Sequence, residues 1–417
     1  MIEPTTNTLD PESIDRSRRR IRTVLMSGQV LAGLGMGSTL SVGAILATEL
    51  SGSPGWSGMA ATLATLGAAL GALPLANLAA RHGRSWSLGT GAWIAAVGAL
   101  LAVLSTITGV FAVLLVALVL IGVGTAVNLQ ARFAATDVST DAHRATDLSL
   151  VVWATTVGAV SGPNLIGPGD AFGIWLGLPS LAGPFVLTML AQLSAGVLYR
   201  VGLRPEPLAL AKQISAEASA HSSVDAVGAD RPGDRRSAFI AIALSHATMV
   251  AGMAMTPVHL VDHGASLVIV GFTISLHIAG MYALAPVFGI LADRWGRKQI
   301  ILSGQAMLAL SLLATGFGSE SEAWVIVGLI LLGTGWSAAT VAGSALLTES
   351  TPVARRTRVQ GLSDVVMSAA GATGGALSGV VLVLIGYNGL SLVSLVLVAT
   401  VTLRVVLARH SGERTSS

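Results

Sequence analysis

Two histidines, His246 and His277, lie deep inside apolar stretches of this 417-residue chain. Each stands about eight to ten residues into its stretch, which places it roughly 12–15 Å along a helix from the nearer end. An unperturbed histidine titrates near pH 6.5, so either ring could carry a proton inside its apolar stretch. The alternative is a neutral histidine that is hydrogen-bonded between packed helices. Both interpretations stay open on sequence grounds.

His246 also shares a helical face with Met249 and Met253, a pattern that could hold Cu(I). Packing explains it better, because methionine commonly fills gaps between helices. The chain contains no cysteine, which removes disulfides, thiolate nucleophiles and cysteine-based metal sites. With no nucleophile–base pair or phosphate-binding loop either, we predict no metal site, no cofactor and no catalytic residue.

The elements that must position these histidines are apolar helices. Only 11% of the residues are charged and 53% are hydrophobic, whereas a soluble domain usually carries about 25% charged residues. A helix needs about 20 apolar residues to cross about 30 Å of hydrocarbon. Twelve stretches approach that length: 23–48, 57–79, 86–107, 110–135, 148–168, 174–199, 238–260, 267–291, 299–317, 323–346, 363–385 and 389–408.

The distribution of charge predicts how these spans are oriented. If the N-terminus is inside, all 24 Lys and Arg residues fall on the inner side of the membrane, as the positive-inside rule predicts. Each of the 21 acidic residues falls at the end of a span or in a loop. We therefore expect a multi-pass protein of the plasma (inner) membrane with both termini in the cytoplasm. The net charge of +3 does not indicate a nucleic-acid partner.

A polar segment rich in Ala and Ser divides the chain into two halves. The predicted divisions are a cytoplasmic tail (1–22), a six-helix bundle (23–200), a cytoplasmic linker with one short helix (201–237), a second six-helix bundle (238–408) and a cytoplasmic tail (409–417). The halves repeat each other, since ANLAARHGRS from residue 76 matches GILADRWGRK from residue 289. Such a duplication is an architecture that secondary transporters use.

The second of these segments resembles the signature loop of the major facilitator superfamily, G-x-L-A-D-R-x-G-R-K. It lies between the second and third helices of its half, where that family carries the loop. The resemblance covers nearly the whole chain. It implies an all-α integral membrane protein with twelve transmembrane helices in two pseudo-symmetric six-helix bundles, in which the loop helps to close the cytoplasmic side.

The resemblance implies gating residues in both copies of the loop and at the ends of two later spans. They are Gly289, Asp293, Arg294, Gly296, Arg297, Arg81, Gly83, Arg84, Asp137 and Glu349. Asp293 is expected to accept hydrogen bonds from a helix N-terminus across the interface between the halves. In the first copy Ala80 replaces this aspartate, so closure is expected to depend on the second copy.

Repeat-related charges also predict two equivalent ion pairs. Asp137 ends the fourth span and Glu349 ends the tenth, at nearly the same offset as the two loops. We infer that Arg84 pairs with Asp137 and that Arg297 pairs with Glu349. The alternative is four separately solvated surface charges.

The fifth span carries a motif that resembles one in the drug:proton antiporters of the family. Its residues are Gly158, Gly162, Pro163 and Gly167. Small residues would let this helix approach the facing eighth span, and Pro163 would bend it. Simple packing is the alternative. The fourth span lacks the arginine that most proton-coupled members carry, and Leu118 stands there instead.

In this family the first, fourth, seventh and tenth helices line a central cavity. The candidates for a substrate or proton pathway in those spans and their neighbours are Gln29, Asn128, Gln130, Trp153, His246, His277, Tyr282 and Trp336. This set suits a hydrophobic or amphiphilic compound, because a sugar needs many hydrogen-bonding partners and an anion needs a buried Arg or Lys.

The function that follows is proton-coupled efflux of a hydrophobic or amphiphilic small molecule by alternating access. The alternative is import of a small metabolite by proton symport or facilitated diffusion. A membrane receptor that does not transport is a third possibility, although such a protein need not keep a gate. The expected partners are the small-molecule substrate, protons and the lipid bilayer, and we expect a monomer.

Overall fold

The computed structural model describes residues 11–53, 56, 59–221, 230–264 and 267–413, and in these ranges the chain is helical without strands. The helices are α1 (Pro11–Ser51), α2 (Met59–His82), α3 (Arg84–Thr108), α4 (Phe111–Asp137), α5 (Arg144–Asn164), α6 (Ile166–Trp175), α7 (Gly183–Gly202), α8 (Pro207–His221), α9 (Pro232–Asp262), α10 (Leu267–Tyr282), α11 (Ala285–Trp295), α12 (Arg297–Phe317), α13 (Glu322–Glu349) and α14 (Val353–Glu413).

In three regions the observed helices do not correspond one to one with the twelve predicted spans. The fifth span is divided into α5 and α6, and the eighth into α10 and α11. Proline interrupts helices because it lacks a backbone N–H, and Pro163 and Pro286 lie close to these breaks. The last two spans form the 61-residue α14, whose backbone leaves helical geometry at Gly386 (φ 72°).

Membrane crossing is supported by the length and composition of the helices. Within the described ranges, nine helices are long and apolar enough to cross a membrane. One of the nine is α14, which is long enough for two crossings. Many large apolar side chains are exposed on the outer surfaces of the helices, for example Val383 at 85% and Phe317 at 80%. An exposed apolar surface of this kind is suited to lipid rather than to water.

The helices pack as two bundles, α1 to α7 and α9 to α14. The bundles meet where α2 packs against α14 and where α5 packs against α10 and α11. Small residues allow this approach. A Cβ atom added at Gly289 of α11 would lie 2.2 Å from Ser149 Oγ of α5, and one added at Gly361 of α14 would lie 2.3 Å from Ala76 Cβ.

The two loop copies have the same backbone geometry. Gly83, between α2 and α3, has φ 95° and ψ 169°, and Gly296, between α11 and α12, has φ 100° and ψ 150°. A side chain rarely tolerates such positive φ values, so the turns require glycine. One end of the bundles carries these two turns together with the 138–143 loop and the 350–352 loop. We call this end the basic face.

The short helix α8 packs against the basic face of the first bundle. Leu208, Leu210 and Ala211 are buried, and Leu210 belongs to the apolar core that also contains Leu75 and Val138. Just before α8, Glu206 Oε1 accepts a hydrogen bond from the backbone N–H of Arg84 at 2.5 Å. The segment between the bundles thus caps the N-terminus of α3, where a negative charge is favourable.

Candidate transport site and gate

The first predicted ion pair is present on the basic face. Arg84 begins α3 and Asp137 ends α4, so the two helix ends bring the side chains together. Arg84 Nε lies 2.8 Å from Asp137 Oδ2, and Nη2 lies 3.3 Å from Oδ1, which makes the contact bidentate. Both side chains are almost completely buried. Because the pair is withdrawn from water, it has little screening by salt.

Arg84 also reaches the second bundle. Its Nη2 donates a hydrogen bond to Gln360 Oε1 of α14 at 2.6 Å, and Gln360 Nε2 donates to Thr348 Oγ1 at 3.2 Å. The first loop copy, and not only the second, on which closure was expected to depend, therefore contacts the other bundle. Ala80 removes the aspartate from the first copy, but the arginine of that copy makes its own contact across the interface.

Asp293 makes the predicted contact with a helix N-terminus of the other bundle. Its Oδ1 accepts the N–H of Ala145 at 3.1 Å, and its Oδ2 accepts the N–H of Thr146 at 2.8 Å and the Thr146 hydroxyl at 2.5 Å. These donors lie in the first turn of α5, whose backbone N–H groups have no partner within the helix. One carboxylate thus joins α11 to α5 through three hydrogen bonds.

The second predicted ion pair is also present. Arg297 Nη2 lies 2.6 Å from Glu349 Oε1 and 2.9 Å from Asp293 Oδ1, so the arginine connects the two acidic residues. The same nitrogen donates to the backbone carbonyl of Asp141 in the first bundle at 2.9 Å. Arg144 of α5 approaches Glu349 at 3.9 Å. Both loop copies therefore hold the two bundles together on the basic face.

Other predicted gating residues lie at the edge of this network. Arg81 and Arg294 are exposed on the basic face. In the fifth-span motif, Gly158 faces α1 instead of the eighth span, since a Cβ added there would lie 2.5 Å from Gly33 Cα. The fifth span does pack against the eighth, but this glycine lies on the side that faces the interior of the first bundle. Gly167 is exposed, and the side-chain surroundings of Gly162 and Pro163 lie outside the described part.

A cavity of about 70 Å³ lies between the bundles, closer to the middle of the helices than the contacts of the basic face. Four of the predicted pathway residues line it: Gln29, Asn128, Tyr282 and Trp336. The other lining residues are Thr125, Leu129, Arg132, Val152, Thr155, Ser337, Thr340 and Val341. Helices α1, α4 and α5 form one wall and α10 and α13 form the other, so both bundles contribute to the site.

Aromatic rings form the wall of the cavity on the side of the second bundle. Tyr282 and Trp336 pack edge to face, with ring centroids 5.9 Å apart. Behind them, Trp336 Nε1 donates a hydrogen bond to His246 Nδ1 at 3.0 Å. An indole N–H can only donate, so His246 Nδ1 is unprotonated in this arrangement. His246 thus contacts the cavity through Trp336.

The remaining predicted pathway residues lie away from the cavity. Gln130 is tied inside the first bundle, where its Nε2 donates to the Ala72 carbonyl at 2.9 Å. Trp153 is 38% exposed on the outer surface. His277 is fully buried against α13, with Nδ1 2.8 Å from the Leu329 carbonyl oxygen.

The structure adds a buried ion pair that was not predicted. Arg132 of α4 is 2% exposed, and its Nη2 lies 2.8 Å from Oδ1 of Asp364 in α14, which is 0% exposed. Asp364 was assigned to the end of a span, but α14 begins at Val353, so the residue lies three turns inside the helix. An anionic substrate was disfavoured because no buried Arg or Lys was expected in the cavity. Arg132 is such a buried arginine, so that argument no longer holds.

Comparisons with known proteins agree with this architecture. The model of the Major Facilitator Superfamily matches residues 25–228 and 237–417. The uncharacterized MFS-type transporter YdeG of Bacillus subtilis (strain 168) is 37% identical over 388 residues, which cover 92% of this chain and 90% of YdeG. The riboflavin transporter RfnT of Brucella anthropi is 27% identical over 359 residues, which cover 84% of this chain and 85% of RfnT.

A solved structure shows the same fold at lower identity. The human organic anion transporter MFSD10 superposes with a TM-score of 0.74 at 15% identity, covering 93% of this chain and 99% of MFSD10. The family match spans nearly the whole chain, and both of its bundles and the cavity between them are present. The chain is a transporter, not an enzyme, and it belongs to the major facilitator superfamily.

Proposed function

We propose that the chain is a secondary active transporter that exports an amphiphilic small molecule in exchange for protons. The observation that carries this proposal is the cavity between the bundles, lined from both sides and adjacent to a network that closes the basic face. A site at the junction of two pseudo-symmetric bundles can be exposed to either side of the membrane when the bundles rock. We place the protein in the plasma membrane as a monomer.

The charges on the basic face support a cytoplasmic orientation for that side. Arg18 and Arg22 at the start of α1 lie against the 138–147 region, where Arg18 Nε donates to the Val138 carbonyl at 2.7 Å and Arg22 Nη1 lies 2.8 Å from Asp147 Oδ1. Basic residues gather on the inner side of membrane proteins. The closed gate described above would then separate the cavity from the cytoplasm, and export would require it to open.

The lining of the cavity supports a substrate that combines aromatic rings with hydrogen-bonding groups. Tyr282 and Trp336 offer ring faces and edges, while Gln29, Asn128 and Thr155 offer polar groups on the opposite wall. Offset and edge-to-face ring contacts favour planar partners. The riboflavin transporter RfnT, a relative that covers most of this chain, is in keeping with such a substrate. A small metabolite of this kind is also compatible with the second candidate function, import of a small metabolite by symport or facilitated diffusion.

An accumulation experiment distinguishes these functions. Cells with and without the protein are given labelled amphiphilic aromatic compounds, including riboflavin, before and after the proton gradient is collapsed. Export predicts lower accumulation in cells that contain the protein, and the difference should disappear with the gradient. Higher accumulation would show import, and equal accumulation of every compound would contradict transport of this class.

We further propose that His246 couples proton movement to the cavity. Protonation would place a hydrogen on Nδ1 and thereby remove the acceptor for Trp336 Nε1. The Trp336 ring, which lines the cavity, would then lose the contact that fixes its orientation. His277 stays a second candidate, because its Nε2 is buried without a hydrogen-bond partner in the described part of the chain.

The variant His246→Gln should retain substrate exchange but lose most proton-driven transport, by about tenfold or more. Glutamine keeps hydrogen-bonding capacity but does not titrate between pH 5 and 8. Transport by reconstituted protein, measured with and without an imposed pH gradient, checks this result. His143→Gln, at an exposed loop position, is the matched control. Gradient-driven transport that survives in His246→Gln, His277→Gln and the double variant would exclude histidine coupling.

A further inference from the structure

Arg132 belongs to both the cavity and the junction between the bundles. It lines the cavity, and its Nη2 contacts Asp364 Oδ1 of the other bundle at 2.8 Å. The adjacent donor Arg132 Nε and the second oxygen, Asp364 Oδ2, are both buried without a hydrogen-bond partner in the described part of the chain. The contact between the two side chains is therefore a single hydrogen bond, from Nη2 to Oδ1, and Nε and Oδ2 take no part in it.

The neighbouring ion pair shows what a complete contact looks like in this fold. Arg84 uses Nε and Nη2 together to hold both oxygens of Asp137. This bidentate geometry is the one that the planar guanidinium favours with carboxylates. Arg132 contacts Asp364 through Nη2 alone, and its Nε has no hydrogen-bond partner among the described residues. A contact that served closure alone would be expected to satisfy both atoms, because buried polar groups are normally hydrogen-bonded.

Other lining residues also have unsatisfied polar atoms. Gln29 Oε1, Ser337 Oγ and Thr340 Oγ1 are buried, and no partner is found for them among the described residues. The cavity therefore offers a guanidinium N–H, two hydroxyls and an amide oxygen beside the rings of Tyr282 and Trp336. A ligand that satisfies them must carry acceptor oxygens as well as a ring.

The charge of the residues that line the cavity indicates which acceptor group a ligand should carry. Arg132 carries a positive charge, and the described residues that line the cavity include no carboxylate. We propose that Arg132 binds a carboxylate or similarly anionic group of the substrate, so that the substrate class is an aromatic acid. Asp364 occupies part of this guanidinium edge in the state described here, and a substrate carboxylate would compete with it. This inference rests on the proposed function, because it assigns the substrate of the same cavity.

The test is equilibrium binding to the purified full-length protein, with matched acids and amides as probes. The pairs are 1-naphthoate with 1-naphthamide and indole-3-acetate with indole-3-acetamide. The wild-type protein should bind at least one acid about tenfold or more tightly than its amide. Arg132→Gln should remove this preference. Asp364→Asn should strengthen binding of the acid, because the competing carboxylate is gone while the guanidinium remains.

Opposite effects of the two variants separate a binding role from a structural one. An ion pair that only stabilises the fold would give weaker binding in both variants. If Arg132→Gln does not fold, the double variant Arg132→Gln/Asp364→Asn has no unpaired charge and should bind acid and amide equally. Arg19→Gln, an exposed arginine in α1, controls for net charge.

The outcomes are distinct from those of the transport proposal. Acid binding with the predicted pattern but no transport would contradict the proposed function and leave the anion site supported. Equal binding of acids and amides by the wild-type protein, or no binding of either acid, would overturn the anion site. An equal loss of acid binding in Arg132→Gln and Asp364→Asn would overturn it as well.

Discussion

Replacement of Arg84 by glutamine is expected to lower the free energy of unfolding by about 3–5 kcal/mol, because it leaves a buried carboxylate without its partner. Asp137 is 7% exposed and takes both of its ion-pair contacts from Arg84. The variant also loses the hydrogen bond to Gln360 across the bundles. We therefore expect Arg84→Gln to lose nearly all transport. Denaturant unfolding of the purified protein and transport in proteoliposomes measure the two effects.

A double variant provides the control for this prediction. Arg84→Gln/Asp137→Asn removes both charges and should recover most of the lost stability, since no buried charge is left unpaired. Its transport should stay low, because the hydrogen bond from Arg84 to Gln360 is still lost. A single Arg84→Gln variant as stable as the wild-type protein would contradict the burial and pairing described here.

Asp293→Asn is expected to reduce transport about tenfold by weakening closure of the basic face. Asparagine keeps the size of the side chain but removes its charge, and its amide NH₂ would meet one of the donors on Ala145 or Thr146. A carboxylate at a helix N-terminus contributes about 1–2 kcal/mol when partly buried. A cysteine introduced at Ser149, which Gly289 covers in the closed arrangement, should then react faster with a thiol reagent.

The chain offers a matched comparison for Asp293. Ala80 occupies the equivalent position in the first loop copy and is exposed, so Ala80→Asp should leave transport and thiol reactivity close to wild type. The native chain has no cysteine, which removes background labelling. Unchanged transport and unchanged reactivity in Asp293→Asn would show that the loop has no part in closure.

The sequence predicted the features that depend on local pattern and on repetition. The apolar stretches predicted the helices, and the paired offsets of Arg84 with Asp137 and of Arg297 with Glu349 predicted contacts that the structure contains. The two ion-pair predictions are confirmed because a duplicated unit places equivalent residues in equivalent surroundings. Asp293 followed from the same logic, since a carboxylate next to a helix start has an obvious partner.

Contacts between the bundles that involve no repeated motif could not be predicted from the sequence. The Arg132–Asp364 contact joins residues 232 positions apart, and neither residue belongs to the repeated loop. Asp364 was misplaced because the apolar stretch begins ten residues after the helix does. The neighbour of Gly158, which is Gly33 of α1, also could not be read from the sequence, since a glycine favours close approach without indicating which helix approaches.

The central claim is that the substrate passes through the cavity between the bundles, and blocking that cavity tests it most directly. Thr155 lines the cavity and is 6% exposed, whereas Val157 lies two residues further along α5 and is 43% exposed. Tryptophan at each position adds the same bulk to the same helix. With a compound whose accumulation depends on the protein, Thr155→Trp should reduce the transport rate more than tenfold and Val157→Trp should leave it near the wild-type value. Equal rates for Thr155→Trp and the wild-type protein would contradict transport through this cavity.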